Sequence, residues 1–72
     1  MNTLDAQLLA AHATNDAAQL VNLYTLAADG AGDVDTACFY LTHAYVFALE
    51  IGHSNTETLR AHLVKHGREP AA

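Results

Sequence analysis

The residues of this chain that could carry chemistry are five histidines, one cysteine and a group of acids at one turn. His62 and His66 stand four apart, so on a helix both can face the same way, which is a spacing metal ligands use. The zinc-protease pattern needs Glu directly after the first histidine, and Leu63 occupies that place. A third ligand would have to fold back from His53 or Glu69. The plainer reading is a pair of solvated histidines near a helix C-terminus, where imidazolium is mildly favoured by the macrodipole. Cys38 and His43 are five apart, about 140° around a helix, so they do not form a nucleophile–base pair. Cys38 reads as a small core residue. Asp29, Asp33 and Asp35 surround two glycines, but a calcium loop needs more oxygen ligands and a distal bidentate Glu. A phosphate-binding loop needs a strand before it and a lysine after it, and neither is present. No nucleophile–base pair, carboxylate dyad or cofactor loop emerges, so the sequence predicts neither catalysis nor a bound cofactor. Divalent-metal binding through His62 and His66 is kept as the alternative function.

The charge pattern narrows the partners. The net charge is −5, and Arg60, Lys65 and Arg68 are the whole complement of Lys and Arg. The first 59 residues therefore lack the basic face that displaces counterions from nucleic acid and that docks on anionic lipid. No apolar run approaches the roughly 18 residues of a membrane span. A lone cysteine and the lack of a basic-then-apolar leader lead us to expect a reduced, cytoplasmic protein. The 72 residues make one domain. Their apolar share of 51% exceeds the usual 45–50% or so, but much of it is alanine, which buries little area. A domain of this size buries only about 60% of its unfolded surface. A homo-oligomer or a bound partner would supply what such a core lacks.

The elements that must position these residues are helical. The stretch from Asp33 to Gly52 is their centre. Val34, Ala37, Cys38, Leu41, Ala44, Tyr45 and Ala48 form a three-and-four stripe, and Phe39, Tyr40, Val46, Phe47 and Ile51 cover much of the remaining circumference. A helix apolar on so many sides needs several neighbours. Before it, residues 4–13 read as a short helix striped by Leu4, Leu8 and Ala11 and capped by Asn2 or Thr3. Thr14 or Asn15 then caps a second helix running to about Ala28. The turn from Asp29 to Asp33 has two glycines free to take positive φ, and Asp33 caps the central helix. Gly52 ends it. Ser54 and Glu57 have the spacing of a capping box for a fourth helix that reaches about His66. Residues 68–72 read as a frayed tail. The expected fold is all-α, about four helices in antiparallel helix-turn-helix pairs.

The segment from Val21 to Leu49 resembles a tetratricopeptide repeat, a helix pair of about 34 residues. Val21, Tyr24 and Ala28 match its first helix, Gly32 and Asp33 its turn, and Ala37, Leu41 and Ala44 the small-large-small pattern of its second. Thr25 stands where a small residue is usual, and Leu49 where the closing proline falls. The longer second helix is similar to variant repeats ending in alanine-leucine-x-x-glycine, here Ala48, Leu49 and Gly52. The resemblance spans residues 18–66, about one and a half repeats. It implies a binding scaffold, and since about three repeats make an independent solenoid, it also implies self-association.

Small residues let helices approach and the large one fills the gap between them. With the Ala37–Leu41–Ala44 stripe covered by the first two helices, the aromatic side needs another lid. The fourth helix offers Leu59, Leu63 and Val64, which cover either all of it or only part, and whatever stays bare marks an interface. Phe39, Tyr40, His43 and Phe47 are the expected interface residues, with His43 either a polar anchor in a binding groove or a residue at the helix edge hydrogen-bonded to a neighbour. The function expected is a non-catalytic protein–protein interaction or self-associating module.

Overall fold

A computed structural model describes residues 3–68, and all its regular elements are helices. They are α1 (Thr3–Ala13), α2 (Ala17–Asp29), α3 (Val34–Ile51) and α4 (Thr56–Lys65). The all-α, four-helix expectation holds. Asn2, considered as a cap for α1, and residues 69–72 of the expected tail lie outside the described residues.

Each helix packs on its neighbours in the chain: α1 on α2, α2 on α3, and α3 on α4. No other pair of these helices approaches within 8 Å at Cα. The main core gathers Val21 and Ala28 of α2, Cys38, Leu41, Ala44 and Ala48 of α3, and Leu59 and Leu63 of α4. A smaller cluster holds α1, through Ala11, against Leu20 and Leu23, with Leu4 and Leu8 at its edge. Tyr24 and Phe47 border both clusters and join them. The alanines of α2 and α3 therefore have a use: their small side chains let two helices close on one another with little void.

The connections depart from expectation in three places. Asp16, not Thr14 or Asn15, is the N-cap of α2, accepting from the Gln19 amide at 3.1 Å. Asn15 takes the positive φ of 54° that reverses the chain, a conformation asparagine tolerates better than most residues. The turn before α3 uses no positive φ; Gly30 sits at φ −90°, ψ −1° and simply continues the helical backbone. Its N–H and that of Ala31 still close onto Leu26 and Ala28 at 3.2 and 3.1 Å. The Ser54–Glu57 capping box does not form, because Asn55 holds the N-cap position of α4 without a side-chain cap bond. The turn is drawn back onto His53 instead. Its carbonyl accepts from the Thr56 hydroxyl at 2.7 Å and its Nδ1 from the Asn55 amide at 3.0 Å.

Asp33 caps α3 as expected, accepting from both the amide and the hydroxyl of Thr36 at 2.8 and 3.0 Å. These bonds stabilise its carboxylate and hold it below the usual range. Gly52 closes α3 at φ 61°, with His53 N–H reaching the Ala48 carbonyl at 2.9 Å. A Cβ at Gly52 would meet nothing within 4 Å, so an alanine there suffers only from its backbone conformation. Gly52→Ala is expected to cost about 1–2 kcal/mol, and Gly52→Asn clearly less, in paired urea melts. Equal stabilities for alanine, asparagine and wild type would remove the left-handed closure. Gly67 repeats the device at φ 70°. Arg68, placed in a frayed tail by its sequence, instead closes α4 through its N–H to the Leu63 carbonyl at 2.8 Å.

Candidate functional site

On α3, successive residues turn by about 100°, and Ala44 faces the centre of the core. Tyr40 and Phe47 flank it on the side of α2. Phe39, Thr42, Val46 and Leu49 lie across from it, on the side that faces solvent. Phe39 is 59% exposed, Val46 47% and Leu49 54%. The described residues extend only 13 Å along their shortest axis, and among them no fifth element packs on this side. The expected lid from α4 does not reach it. Leu59 and Leu63 are spent in the main core with Cys38, Leu41, Ala44 and Ala48.

The four expected interface residues separate accordingly. Phe39 points outward. Tyr40, His43 and Phe47 are half-buried around Tyr24 of α2, a residue the sequence places in the repeat's first helix and not in the interface. Phe47 stacks parallel to the Tyr24 ring, 6.1 Å between centroids and 10° apart. His43 lies 5.1 Å from that ring and Tyr40 6.2 Å. On the far side, His12 of α1 meets both Tyr24 and Phe47 edge-on at 5.9 Å. Its Nε2 shares a 2.8 Å hydrogen bond with the Tyr24 hydroxyl. Phe39 extends the chain of rings outward, 4.6 Å from His43 and 5.5 Å from Tyr40. Offset and edge contacts of this kind add about 0.5–1.5 kcal/mol per pair beyond area. One layer of rings thus runs from α1 over α2 to the outer side of α3.

His43 Nδ1–H donates to the Phe39 carbonyl at 2.9 Å. A carbonyl can only accept, so this bond places the proton on Nδ1 and leaves Nε2 as the acceptor in the neutral ring. The hydrogen-bonded neighbour of His43 is thus a carbonyl of its own helix. Thr42 does likewise, its hydroxyl donating to the Cys38 carbonyl at 2.8 Å. The outer side of α3 is therefore less polar than its sequence.

Burial, with a smaller contribution from nearby Tyr40, pushes the Tyr24 hydroxyl above its ordinary 10.0. The neutral phenol is the form the fold prefers. Its contribution to stability is complete below the unfolded value and is lost as pH rises through the folded one. Tyr24→Phe is therefore expected to flatten the alkaline loss of stability above about pH 10, measured as Tm against pH beside wild type. Superimposable alkaline limbs would count against this.

His62 and His66 line a pocket of about 250 Å³ between α2, α3 and α4, shared with Asp29, Asn55, Thr25 and Leu41. The structure brings the pair to one cavity. Among the described residues, no group of three or more His, Cys, Asp or Glu is arranged to hold a metal ion. His53, weighed as a third ligand, uses Nδ1 in the turn before α4, and Glu69 lies outside the described residues. Cys38 is buried and unpaired, as expected of a core residue. Asp35 pairs with the Arg68 guanidinium at the N-terminal end of α3, and its proximity raises the arginine further. Both side chains are exposed, so the pair adds little stability.

The fold and site define an all-α helical array with an aromatic face and an apolar outer helix side. Among the described residues, no helix is long and apolar enough to cross a membrane. No protein-family model matches the chain, and comparisons with curated proteins and with solved structures return no match.

Proposed function

We propose that the chain is a small non-catalytic helical module, similar to a tetratricopeptide repeat, that acts by binding a protein or a second copy of itself through the outer side of α3. The observation that carries this is the exposure of Phe39, Val46 and Leu49 along one helix side. Large apolar side chains grouped on one helix side in contact with water mark an interface, and the ring layer supports Phe39 among them. Rigid, pre-ordered anchors lose little entropy on docking. Phe39, Tyr40, His43 and Phe47 remain the proposed interface, now with distinct roles. Phe39 makes the contact, and the other three support it through Tyr24. The acidic charge and the placing of every Lys and Arg after residue 59 favour a protein partner over nucleic acid, and a cytoplasmic setting fits the lone buried thiol.

The test is a photo-reactive phenylalanine analogue at position 39, introduced in cells that make the protein. Covalent adducts with protein are expected, and Val46→Asp should abolish them while leaving the helical circular dichroism unchanged. Position 46 is chosen over Phe47, whose ring is committed inside the fold. Absence of any adduct would overturn the reading.

A further inference from the structure

We infer that the last turn of α4 binds a divalent transition-metal ion between the imidazoles of His62 and His66. The site is independent of the α3 surface proposed above. The turn that carries the pair is helical, because the His66 N–H donates to the His62 carbonyl at 3.3 Å. The two residues therefore stand about 40° apart around the axis and about 6 Å apart along it, a placement from which both rings can reach one ion. The turn is also held firmly. Leu63, between them in sequence, is buried in the main core. Beyond them, the Gly67 and Arg68 N–H groups close onto the Val64 and Leu63 carbonyls at 2.9 and 2.8 Å. Two ligands on a fixed turn lose little freedom when they chelate.

Free ring nitrogens separate this pair from the other histidines. His12 shares Nε2 with the Tyr24 hydroxyl, His43 spends Nδ1 on its own helix, and His53 accepts the Asn55 amide at Nδ1. Among the described residues, neither the His62 nor the His66 ring has a hydrogen-bond partner. Both are exposed and open on the cavity between α2, α3 and α4, so an ion reaches them without disturbing the core. The ligand type selects the metal. Neutral imidazole suits zinc, nickel and copper, whereas magnesium and calcium take oxygen. The surrounding charge is mixed. Asp29 lines the same cavity and favours a cation there. Lys65 lies about 60° from His62 around the helix and opposes one, but its long flexible stem lets the ammonium swing aside. Glu57 and Arg60 lie about 140° and 160° away, and Arg68 is paired with Asp35. Asp29 is not arranged as a third ligand, so water fills the remaining positions. Half the ligand set of a closed zinc site leaves a Kd on the order of 10–100 µM.

Zinc and nickel titrations of the full chain, followed by calorimetry and by the histidine ring signals in NMR spectra, test this. One ion per chain is expected, and magnesium at the same concentrations should not bind. The His62 and His66 ring signals should shift together while those of His12, His43 and His53 stay in place. His62→Ala and His66→Ala should each weaken binding by at least about tenfold. Both side chains are exposed, so the circular dichroism should not change. The double variant should be little worse than either single one, since chelation fails once one ring is gone. Asp29→Asn should weaken binding by about two- to fivefold, and Lys65→Ala should not weaken it. Saturating zinc should raise the Tm of wild type by a few degrees and leave that of either histidine variant unmoved. No binding below about 1 mM, equal shifts of all the histidine rings, or wild-type affinity in His62→Ala would overturn the inference and leave an adventitious ion only. Indifference to Asp29→Asn would overturn the placement of the ion in the cavity.

Discussion

Leu63→Ala is expected to remove about 2–5 kcal/mol of stability, read as a shift of the urea midpoint with circular dichroism. Leu63 is 1% exposed and is the deepest α4 side chain in the main core, together with Leu59. Truncating it loses the transfer free energy of the removed atoms and leaves a cavity. Collapse of the site is limited, because the facing residues Cys38, Leu41 and Ala44 belong to a helix held on its other side by α2. A chain of 72 residues has roughly 4–11 kcal/mol of total stability, so this one change takes a large part of it. Leu26→Ala is the control. Leu26 is as large but exposed, and its loss should stay within about 0.5 kcal/mol. Equal effects for the two would mean that α4 is not held by Leu63.

Ala44→Leu is expected to destabilise by about 1–3 kcal/mol or more, although it adds apolar volume. Ala44 is fully buried, at 0% exposure, at the point where α3 lies against the rest of the core. Helices in contact lie 8–10 Å apart according to the side chains between them, and an alanine sets the near end of that range. The extra carbons have no void to enter, so either α2 moves away or neighbouring side chains leave their rotamers. Ala18→Leu, on the exposed side of α2, provides the comparison and should be nearly silent. A neutral or stabilising Ala44→Leu would show that the helices are not in close contact there.

Where an element's neighbours in the chain decide its structure, the sequence was readable. Asp33 caps α3 because a carboxylate one residue before an amide-rich turn has few better partners, and Gly52 ends it because positive φ suits glycine. The packing stripe of α3 followed from helical period from Cys38 to Ala48, but Val34, read into the same stripe, stays half exposed in the first turn. The failures share a cause in competition between nearby alternatives. Thr14, Asn15 and Asp16 are all good caps, and the choice fell to whichever residue did not have to reverse the chain. Ser54 and Glu57 have capping-box spacing, but His53, already engaged in closing α3, captured the next turn. The aromatic side was harder. Period placed Phe39 and Phe47 on neighbouring flanks, yet nothing in it says that Tyr24 reaches across from α2 to take Phe47, Tyr40 and His43. Leu49, read as a repeat position, lies on the solvent-facing side of α3. Its spacing from Thr42 and Val46 was the available signal.

The packing of each helix chiefly against its chain neighbours has a kinetic outcome. Apart from contacts such as His12–Phe47 and Asp35–Arg68, the helices meet across one short turn at a time, so the chain closes no long loop before its contacts begin to stabilise it. Folding should be fast, in the microsecond-to-millisecond range of helical domains rich in local contacts. The two outermost helices each pack mainly on a single partner. Amide deuterium uptake should therefore begin in α1 and α4 and finish in the central pair, with the Ala44 and Ala48 amides among the slowest to exchange.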